Sequence, residues 1–281
     1  MDASSQAGGP LSELPEGIDV VPDFIRPILN LPDTGPPYRS WKDLQTDNVR
    51  VSFSPVIERL FWPLQRDFPA DISVMKSRHG ADDDLERFFE GTKWHEIADL
   101  PVSEPKVSSM TEKIYELDQW EFGWVEWHRE HSEAAEYVTY GELDDDIRPY
   151  ANEPDEDGDW EKDSDTEFLI RCCGTDRPVR KRGQRIVITP SVGKDFVTVR
   201  DYVSAVHTWL MSLRDDLLLS KTVARPVPYG RPEVFEWMVD RGMGHLRLEE
   251  KRDWVAARSP PSAADLPQIK RMQARRAEES R

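Results

Sequence analysis

Two histidines lie three residues apart in the motif WHREH, at His128 and His131. On a helix this spacing places both rings on one side, close to Glu130, so the pair could offer two ligands to a metal ion. A zinc site takes three or four ligands from separated positions, and neither a second histidine pair nor a well-spaced cysteine pair accompanies these two. We therefore predict no metal site and no cofactor, and we interpret the motif as an exposed, charged helix end.

The only two cysteines of the chain are adjacent, at Cys172 and Cys173. Adjacent cysteines do not easily bridge one another within a regular strand, so we expect no disulfide framework. A strand would send one side chain inward and the other outward. A nucleophilic Cys172 would need a histidine or a cation nearby, and Arg171 is adjacent. The interpretation that we favour is a core cysteine with an incidental neighbour.

A third candidate for chemistry is His207, which lies one step from the apolar side of a long predicted helix. It could act as a general base with Asp201 or with another carboxylate supplied by the fold. The alternative, which we favour, is a histidine at the edge of the core that bonds to a carbonyl group. His207, Asp201 and Cys172 are the catalytic candidates, although no nucleophile elbow, dinucleotide-binding fingerprint or P-loop accompanies them.

An aromatic segment precedes the histidine motif. Its apolar residues recur at helical spacing, and Ser109 with Glu112 matches a capping box, so we predict a helix from 109 to about 137, with a strand as the alternative because of Gly123. Aromatic and acidic side chains alternate here, which could form a cage for a cation or a platform for a sugar or a peptide, although such stripes are more often core. The group comprises Trp120, Glu121, Phe122, Trp124, Glu126 and Trp127.

Two clusters of basic residues lie in the C-terminal third, at 177–185 and 269–276. They could serve in nuclear import or in contacts with a phosphate backbone, and the alternative is a solvated turn and a solvated tail. The binding candidates of the first cluster are Arg177, Arg180, Lys181, Arg182 and Arg185.

Charge is distributed unevenly along the chain. The net charge is −17, residues 141–167 contain thirteen acidic side chains against two basic ones, and residues 168–281 carry 22 basic against 14 acidic side chains. Long-range repulsion by the acidic total disfavours nucleic acid as a partner. At low ionic strength the acidic segment could also fold back on the basic turn 177–185 and screen it.

The apolar pattern predicts an α+β fold, with a small, mainly antiparallel sheet packed against one long amphipathic helix at about 199–220 and a helical and irregular N-terminal and insert region. Thr198 can cap this helix, and Leu213 belongs to its apolar side. We predict a disordered N-terminus (1–18), an N-terminal α+β region with the aromatic helix (19–140), an acidic linker (141–167), a C-terminal α+β region (168–258) and a basic disordered tail (259–281).

Two stretches carry a resemblance to known sequences. The segment FVTVRDYVSAVHTWL at 196–210 resembles a group of uncharacterised fungal proteins in which a short V-T-V strand enters a helix through an R-D pair. The segment 26–44 is similar to the beginning of such proteins, where prolines lead to a W-D-L triplet, except that Lys42 here separates Trp41 from Asp43. The group has no established activity. The resemblance implies one discontinuous α+β domain made of 20–53 and 168–255, with most of 60–166 as an insertion.

These patterns favour a non-catalytic protein-interaction module with a protein partner. The N-terminus resembles no signal peptide and no apolar run is long enough to cross a bilayer, so we expect an intracellular protein without membrane attachment, cytoplasmic or, if a basic cluster directs import, nuclear. One alternative is an enzyme whose site around His207 is assembled from distant residues. Another is weak nucleic-acid binding through the C-terminal third.

Overall fold

The computed structural model describes residues 35–79, 85–145, 147–148, 167–223, 235–241, 245–258 and 271. All of these residues belong to one unit, which spans 33–281. The predicted N-terminal segment 1–18, most of the acidic segment 141–167 and nearly all of the basic tail 259–281 lie outside the described residues. The screening of the basic turn by the acidic segment therefore stays a prediction.

The described residues form an α+β fold, as predicted. The helices are α1 (Trp41–Thr46), α2 (Tyr115–His128), α3 (Val199–Ser212), α4 (Arg214–Ser220) and α5 (Lys251–Arg258). The strands are β1 (Ser52–Phe53), β2 (Leu60–Phe61), β3 (Ser73–Val74), β4 (Glu86–Arg87), β5 (Phe89–Glu90), β6 (Lys93–Trp94), β7 (Ser103–Glu104), β8 (Met110–Lys113), β9 (Ala135–Thr139), β10 (Glu167–Cys172), β11 (Thr175–Asp176), β12 (Arg185–Ile188), β13 (Trp237–Arg241) and β14 (Leu246–Glu250). No described helix is long and apolar enough to cross a membrane.

The strands form several small antiparallel sheets. Five of the sheets pair β1 with β7, β5 with β6, β8 with β12, β13 with β14, and β3 with both β2 and β4. The sheet that matters for the candidate site has β10 in the middle, with β9 on one side and β11 on the other. Because β9 and β10 run antiparallel, the end of β10 lies beside the beginning of β9, and Cys172 is paired with Ala135.

The predicted single helix at 199–220 is divided into α3 and α4 at Leu213, whose backbone angles (φ −106°, ψ 8°) are not helical. The break has two local causes. Ser212 donates its hydroxyl to the carbonyl of Trp209, which competes with regular helix bonding. Asp215 and Asp216 are also favoured in the first turn of a new helix, where the helix dipole is positive. The start was predicted correctly, since Thr198 and Asp201 form a reciprocal capping box.

One large core joins the regions on both sides of the acidic segment. Helix α3 lies against β12 and against the 3₁₀ turn Glu96–Asp99, and its buried side meets residues from the N-terminal half. The fully buried side chains of this core include Leu64, Ile72, Phe88, Leu117, Tyr202, Leu210, Leu217 and Leu248. The two predicted α+β regions, 19–140 and 168–258, therefore share a single hydrophobic core.

The aromatic helix is shorter than predicted. Helix α2 begins at Tyr115, and the residues before it form β8, which pairs with β12. Ser109 and Glu112 therefore do not form the predicted capping box. Met110 and Glu112 are buried while Thr111 and Lys113 are exposed, which is the alternation of a strand. Pairing with β12 explains why the sequence pattern failed here, because a distant strand satisfies this backbone.

Candidate functional site

Helix α2 has two different faces. Leu117, Glu121, Trp124 and His128 are buried, and their intervals of four, three and four place them on one side of the helix. Trp120 and Trp127 lie on another side, beside Gly123. The aromatic residues of this segment are thus divided between the protein interior and a surface groove.

The groove has a volume of about 430 Å³ and runs between α2 and the end of α4. Aromatic rings form much of its wall, and Trp127 is 42% exposed. The lining residues on α2 are Tyr115, Glu116, Gln119, Trp120, Gly123, Glu126 and Trp127, and Ser220, Lys221 and Val223 line the opposite side. This combination of aromatic rings and carboxylates can hold a cationic group.

Gly123 lies in the middle of α2, where glycine costs about 1 kcal/mol relative to alanine. Packing does not require it: a Cβ atom at this position would meet only the Cγ1 atom of Val223, at 4.0 Å. The absence of a side chain here leaves the groove open between Trp120 and Trp127. The helix thus carries a destabilising residue at the position where any larger residue would narrow the groove.

Gly123→Ala should raise the free energy of unfolding by about 0.5–1 kcal/mol, because the helix gains propensity and the methyl group has room. Urea unfolding of the variant and the wild type would measure the change. Gly174→Ala is the matched control and should be destabilising, because Gly174 has a φ of +77° that an L-residue adopts only with strain. Destabilisation by Gly123→Ala would show that the space beside Val223 is already filled.

The carboxylates of the groove are held by different partners. Glu116 accepts hydrogen bonds at Oε1 from Lys221 Nζ (2.6 Å) and from the Leu248 amide (2.8 Å). Its Oε2 is buried and has no hydrogen-bond partner among the residues that the structure describes. Glu126 lies at the rim in an ion pair with Arg129. The groove therefore has one incompletely satisfied carboxylate and one at the surface.

The predicted cation cage is only partly assembled. Trp120, Trp127 and Glu126 share the groove. Trp124 is buried, and Glu121 is buried in an ion pair with Arg177. Phe122, also part of the predicted group, is 65% exposed and does not line the groove.

The histidine motif at the end of α2 lies beside the two cysteines. One ligand atom from each of His128, His131, Cys172 and Cys173 lies within 4.8 Å of the others. The Sγ atoms of Cys172 and Cys173 are 3.8 Å apart, and Cys173 Sγ lies 3.4 Å from His131 Nδ1. His128 and Cys172 are buried, whereas Cys173 is exposed. The fold therefore brings the cysteine pair beside the histidines, although the spacing of these residues in the sequence did not indicate it.

A tight turn brings both sulfur atoms to one side. Strand β10 ends at Cys172, which pairs with Thr175, so Cys173 and Gly174 form a two-residue hairpin loop. Both have positive φ, +50° and +77°, as a type I′ turn requires. The strand therefore ends at Cys172, one residue earlier than predicted, although Cys172 is buried and Cys173 is exposed, as predicted. The turn places the second thiol beside the first.

Neighbouring groups orient this cluster. His128 Nδ1 lies 2.8 Å from the carbonyl oxygen of Trp124, which can only accept a hydrogen bond, so Nδ1 carries a proton and Nε2 is left as the ligand atom. The indole of Trp124 donates to Thr175 Oγ1 (3.1 Å), and that hydroxyl donates to the Cys172 carbonyl (2.9 Å). Burial raises the pKa of the Cys172 thiol, an effect that its neighbour Cys173 reinforces.

The other catalytic candidates bond to different neighbours. His207 is buried and stacks on Phe68, and its Nδ1 accepts a hydrogen bond from the Trp62 indole (3.1 Å). Burial lowers the pKa of His207. The Asp201 carboxylate instead accepts bonds from Thr198 and from the Ser191 amide. The structure thus gives Asp201 a capping role and His207 a place in the aromatic core.

The basic turn 177–185 is attached to the protein at several points. Arg177 pairs with Glu121, and Lys181 pairs with Asp216 at 2.7 Å. The Gly183 amide donates to Asp118 (2.9 Å). Arg180, Arg182 and Arg185 are exposed. Arg177 and Lys181 of the predicted binding cluster therefore fasten the turn to α2 and α4, whereas Arg182 and Arg185 face solvent.

A buried carboxylate outside these sites joins β8 to α3 and β13. Glu112 Oε1 accepts a hydrogen bond from the Tyr202 hydroxyl (3.4 Å) and lies 3.4 Å from Arg241 Nε. Burial raises the pKa of Glu112 to about 7, and the positive charge of Arg241 opposes this only in part. Sequence reasoning missed this residue because its side chain was assigned to a helix cap.

Glu112 should make folding stability depend on pH. Its folded-state pKa lies above the ordinary value of 4.5, so its contribution is complete below about pH 4.5 and is lost as the pH rises through about 7. The Glu112→Gln variant should lack this pH dependence, because a glutamine side chain does not titrate. The stability of the wild type relative to the variant should fall by up to about 3 kcal/mol between about pH 4.5 and about pH 8. Urea unfolding of both proteins at both pH values would measure this difference. If the free energies of unfolding of the wild type and the variant changed equally with pH, Glu112 would not be the group responsible.

No protein-family model, no curated protein and no solved structure matches this chain.

Proposed function

We propose that this protein is a non-catalytic interaction module that binds a lysine- or arginine-bearing segment of a partner protein in the groove on α2. The observation that carries the proposal is Gly123, which keeps the groove open at a cost in helix stability that packing does not explain. A residue that destabilises a helix without a structural need is typical of functional sites.

The chemistry of the lining supports a cationic occupant. Trp120 and Trp127 line the groove with aromatic rings, whose faces attract ammonium and guanidinium groups, and Glu126, which pairs with Arg129, adds a carboxylate at the rim. The net charge of −17 favours the approach of a basic segment at long range. The apolar rings also accommodate the aliphatic part of a lysine or arginine side chain.

We further propose that the module acts inside the cell, in the cytoplasm or in the nucleus. The exposed side chains of Arg180, Arg182 and Arg185 support the nuclear option, since a basic surface turn can be read by the import machinery. Fluorescence imaging of the tagged full-length chain and of a triple alanine variant of these arginines would distinguish the two compartments.

The groove can be tested with a random peptide library displayed on phage and selected on the purified full-length protein. We expect the selected peptides to contain lysine or arginine beside apolar residues. Titration calorimetry with synthetic copies should show binding to the wild type and a loss of at least about tenfold in affinity for Gly123→Leu, which fills the groove.

Phe122→Ala is the matched control, because Phe122 lies on the same helix and is exposed outside the groove. It should leave the affinity unchanged. Trp127→Ala should also weaken binding, because it removes an aromatic ring from the groove and leaves Gly123 unchanged. Selected peptides that lack basic residues, peptides that bind Gly123→Leu as well as the wild type, or a library that yields no binder would each contradict the proposal.

A further inference from the structure

The proposed interaction function gives no role to the histidine–cysteine cluster at the end of α2. We propose that His128, His131, Cys172 and Cys173 bind one zinc ion through two imidazole nitrogens and two thiolate sulfurs. Two thiolates and two imidazoles are a set of ligands that zinc prefers in structural sites, in tetrahedral geometry. The site shares no residue with the proposed peptide groove, although the ring of His131 lies edge-on to Trp127 of the groove, with ring centroids 6.3 Å apart.

The distances between the ligand atoms fit a tetrahedral ion. Two sulfurs that are each about 2.3 Å from a tetrahedral zinc lie about 3.8 Å apart, and a sulfur and a nitrogen lie about 3.6 Å apart. The Sγ atoms of Cys172 and Cys173 are 3.8 Å apart, and Cys173 Sγ is 3.4 Å from His131 Nδ1. The ligand atoms lie within 4.8 Å of one another, so the longest separation, which involves a nitrogen, needs to shorten by about 1.2 Å or more.

The sulfur separation also shows that the cysteines are not joined by a disulfide, in which the sulfurs would be about 2.0 Å apart. Both thiols are therefore available as ligands.

The surroundings of the cluster match those of bound metals. Ligating histidines usually donate their second ring nitrogen to a carbonyl or a carboxylate, which fixes the ring and the tautomer. The bond from His128 Nδ1 to the Trp124 carbonyl is such a contact, and it leaves Nε2 as the nitrogen that can bind the ion. The hydrogen bonds from Trp124 to Thr175 and from Thr175 to the Cys172 carbonyl attach the cysteine turn to the same helical turn.

The backbone at Cys173 gives a further reason. A residue other than glycine, asparagine or aspartate in the left-handed region costs about 1–2 kcal/mol. Cys173 has a φ of +50° at the first position of its turn, where asparagine, aspartate or glycine would fit without this cost. Zinc coordination by its thiol offers an explanation for a cysteine at this position.

Four protein ligands leave no open position on the ion, so the site would be structural and not hydrolytic. It would fasten the β10–β11 hairpin to the end of α2. The competing use of the cluster is a nucleophilic cysteine activated by histidine, as the sequence suggested for Cys172. The position of Cys172 works against that use, because its side chain is buried and a substrate cannot reach the sulfur.

Metal titration of the full-length protein tests the site directly. The protein would be reduced, stripped with a chelator and titrated with Zn²⁺ in competition with a chromophoric chelator, and with Co²⁺ as a spectroscopic probe. We expect one zinc per chain. Bound Co²⁺ should show the strong visible bands of tetrahedral coordination and the near-ultraviolet charge-transfer bands of thiolate ligands. Zn²⁺ should also protect both thiols from alkylation by iodoacetamide.

Variants assign the ligands. Cys173→Ser and His131→Ala change the two more exposed ligands, and each should weaken zinc binding by more than about 100-fold, since even outer contacts of metal ligands are worth about 10–100-fold. Cys173→Ser should also lose part of the charge-transfer intensity. His79→Ala is the matched control, an exposed histidine outside the cluster, and should bind zinc like the wild type. Circular dichroism would verify that each variant is folded.

Three results would overturn the proposal. The first is a reduced, folded wild type that does not bind zinc stoichiometrically at micromolar concentrations. The second is an octahedral Co²⁺ spectrum without charge-transfer bands. The third is zinc binding that Cys173→Ser and His131→Ala leave unchanged. Because the first two use the wild type alone, they hold even if a variant does not fold. Peptide binding in the groove is measured separately, so either proposal can fail without the other.

Discussion

Leu210→Ala should lower the free energy of unfolding by about 2–5 kcal/mol. Leu210 lies on α3, is fully buried and belongs to the core shared by both halves of the protein. Removing its side chain loses the transfer free energy of the buried methyl groups and leaves a cavity that the surrounding residues fill only in part. The change would be measured by urea unfolding, as a shift of the midpoint at an unchanged slope.

Two neighbouring positions serve as controls. Met211 is 38% exposed, so Met211→Ala should change stability by no more than about 0.5 kcal/mol. Leu213 lies at the break between α3 and α4 and is only partly buried, so Leu213→Ala should cost less than Leu210→Ala. The apolar spacing of the sequence had placed Leu213 on the same side of the helix as Leu210. Equal costs at Leu210 and Leu213 would mean that the two helices are continuous in solution.

Elements defined by local sequence could be predicted. The start of α3 was correct because Thr198 and Asp201 cap it through bonds between residues three apart. The apolar and β-branched residues at 168–173 and 185–189 also predict strands, and these correspond to β10 and β12. The α+β class and the antiparallel pairing followed from the same short patterns.

Elements defined by distant contacts could not be predicted in the same way. Met110 to Lys113 fit a helix cap in isolation, and only the pairing with β12, about 75 residues later, shows them to be a strand. The end of the predicted long helix also failed. A change in side-chain bonding at Ser212 and a new helix start at Asp215 stop α3 there, and the apolar spacing continues through both.

The histidine–cysteine cluster shows the same limit. His131 and Cys172 are 41 positions apart and meet because β9 and β10 pair across the acidic segment. Neither the H-x-x-H nor the C-C spacing contains that information. A local signal did exist: Gly174 after Cys173 is suited to a two-residue hairpin turn, which would have placed both thiols on one side. The groove was partly visible as an aromatic and acidic group, but the sequence could not tell which aromatic residues are buried.

Arg177→Met should destabilise the protein by about 3–5 kcal/mol, although Arg177 was predicted to be a surface binding residue. Its guanidinium pairs with Glu121 on α2 at 2.9 Å and lies over the ring of Phe168, 4.1 Å from its centre. The Glu121 side chain is only 9% exposed, so loss of the arginine leaves a buried carboxylate without its counter-charge. The midpoint of urea unfolding would report the effect.

A double-mutant cycle distinguishes the energy of the Arg177–Glu121 ion pair from that of the packing around it. Glu121→Leu combined with Arg177→Met should recover much of the lost stability, because no uncompensated charge remains and apolar residues replace the pair. Arg182→Ala, in the same basic cluster but exposed, is the control and should stay within about 0.5 kcal/mol of the wild type. If Arg177→Met changed the free energy of unfolding as little as Arg182→Ala, Arg177 would again be a candidate for binding a partner. If the cycle behaves as expected, only the exposed arginines of this turn remain as candidates for binding.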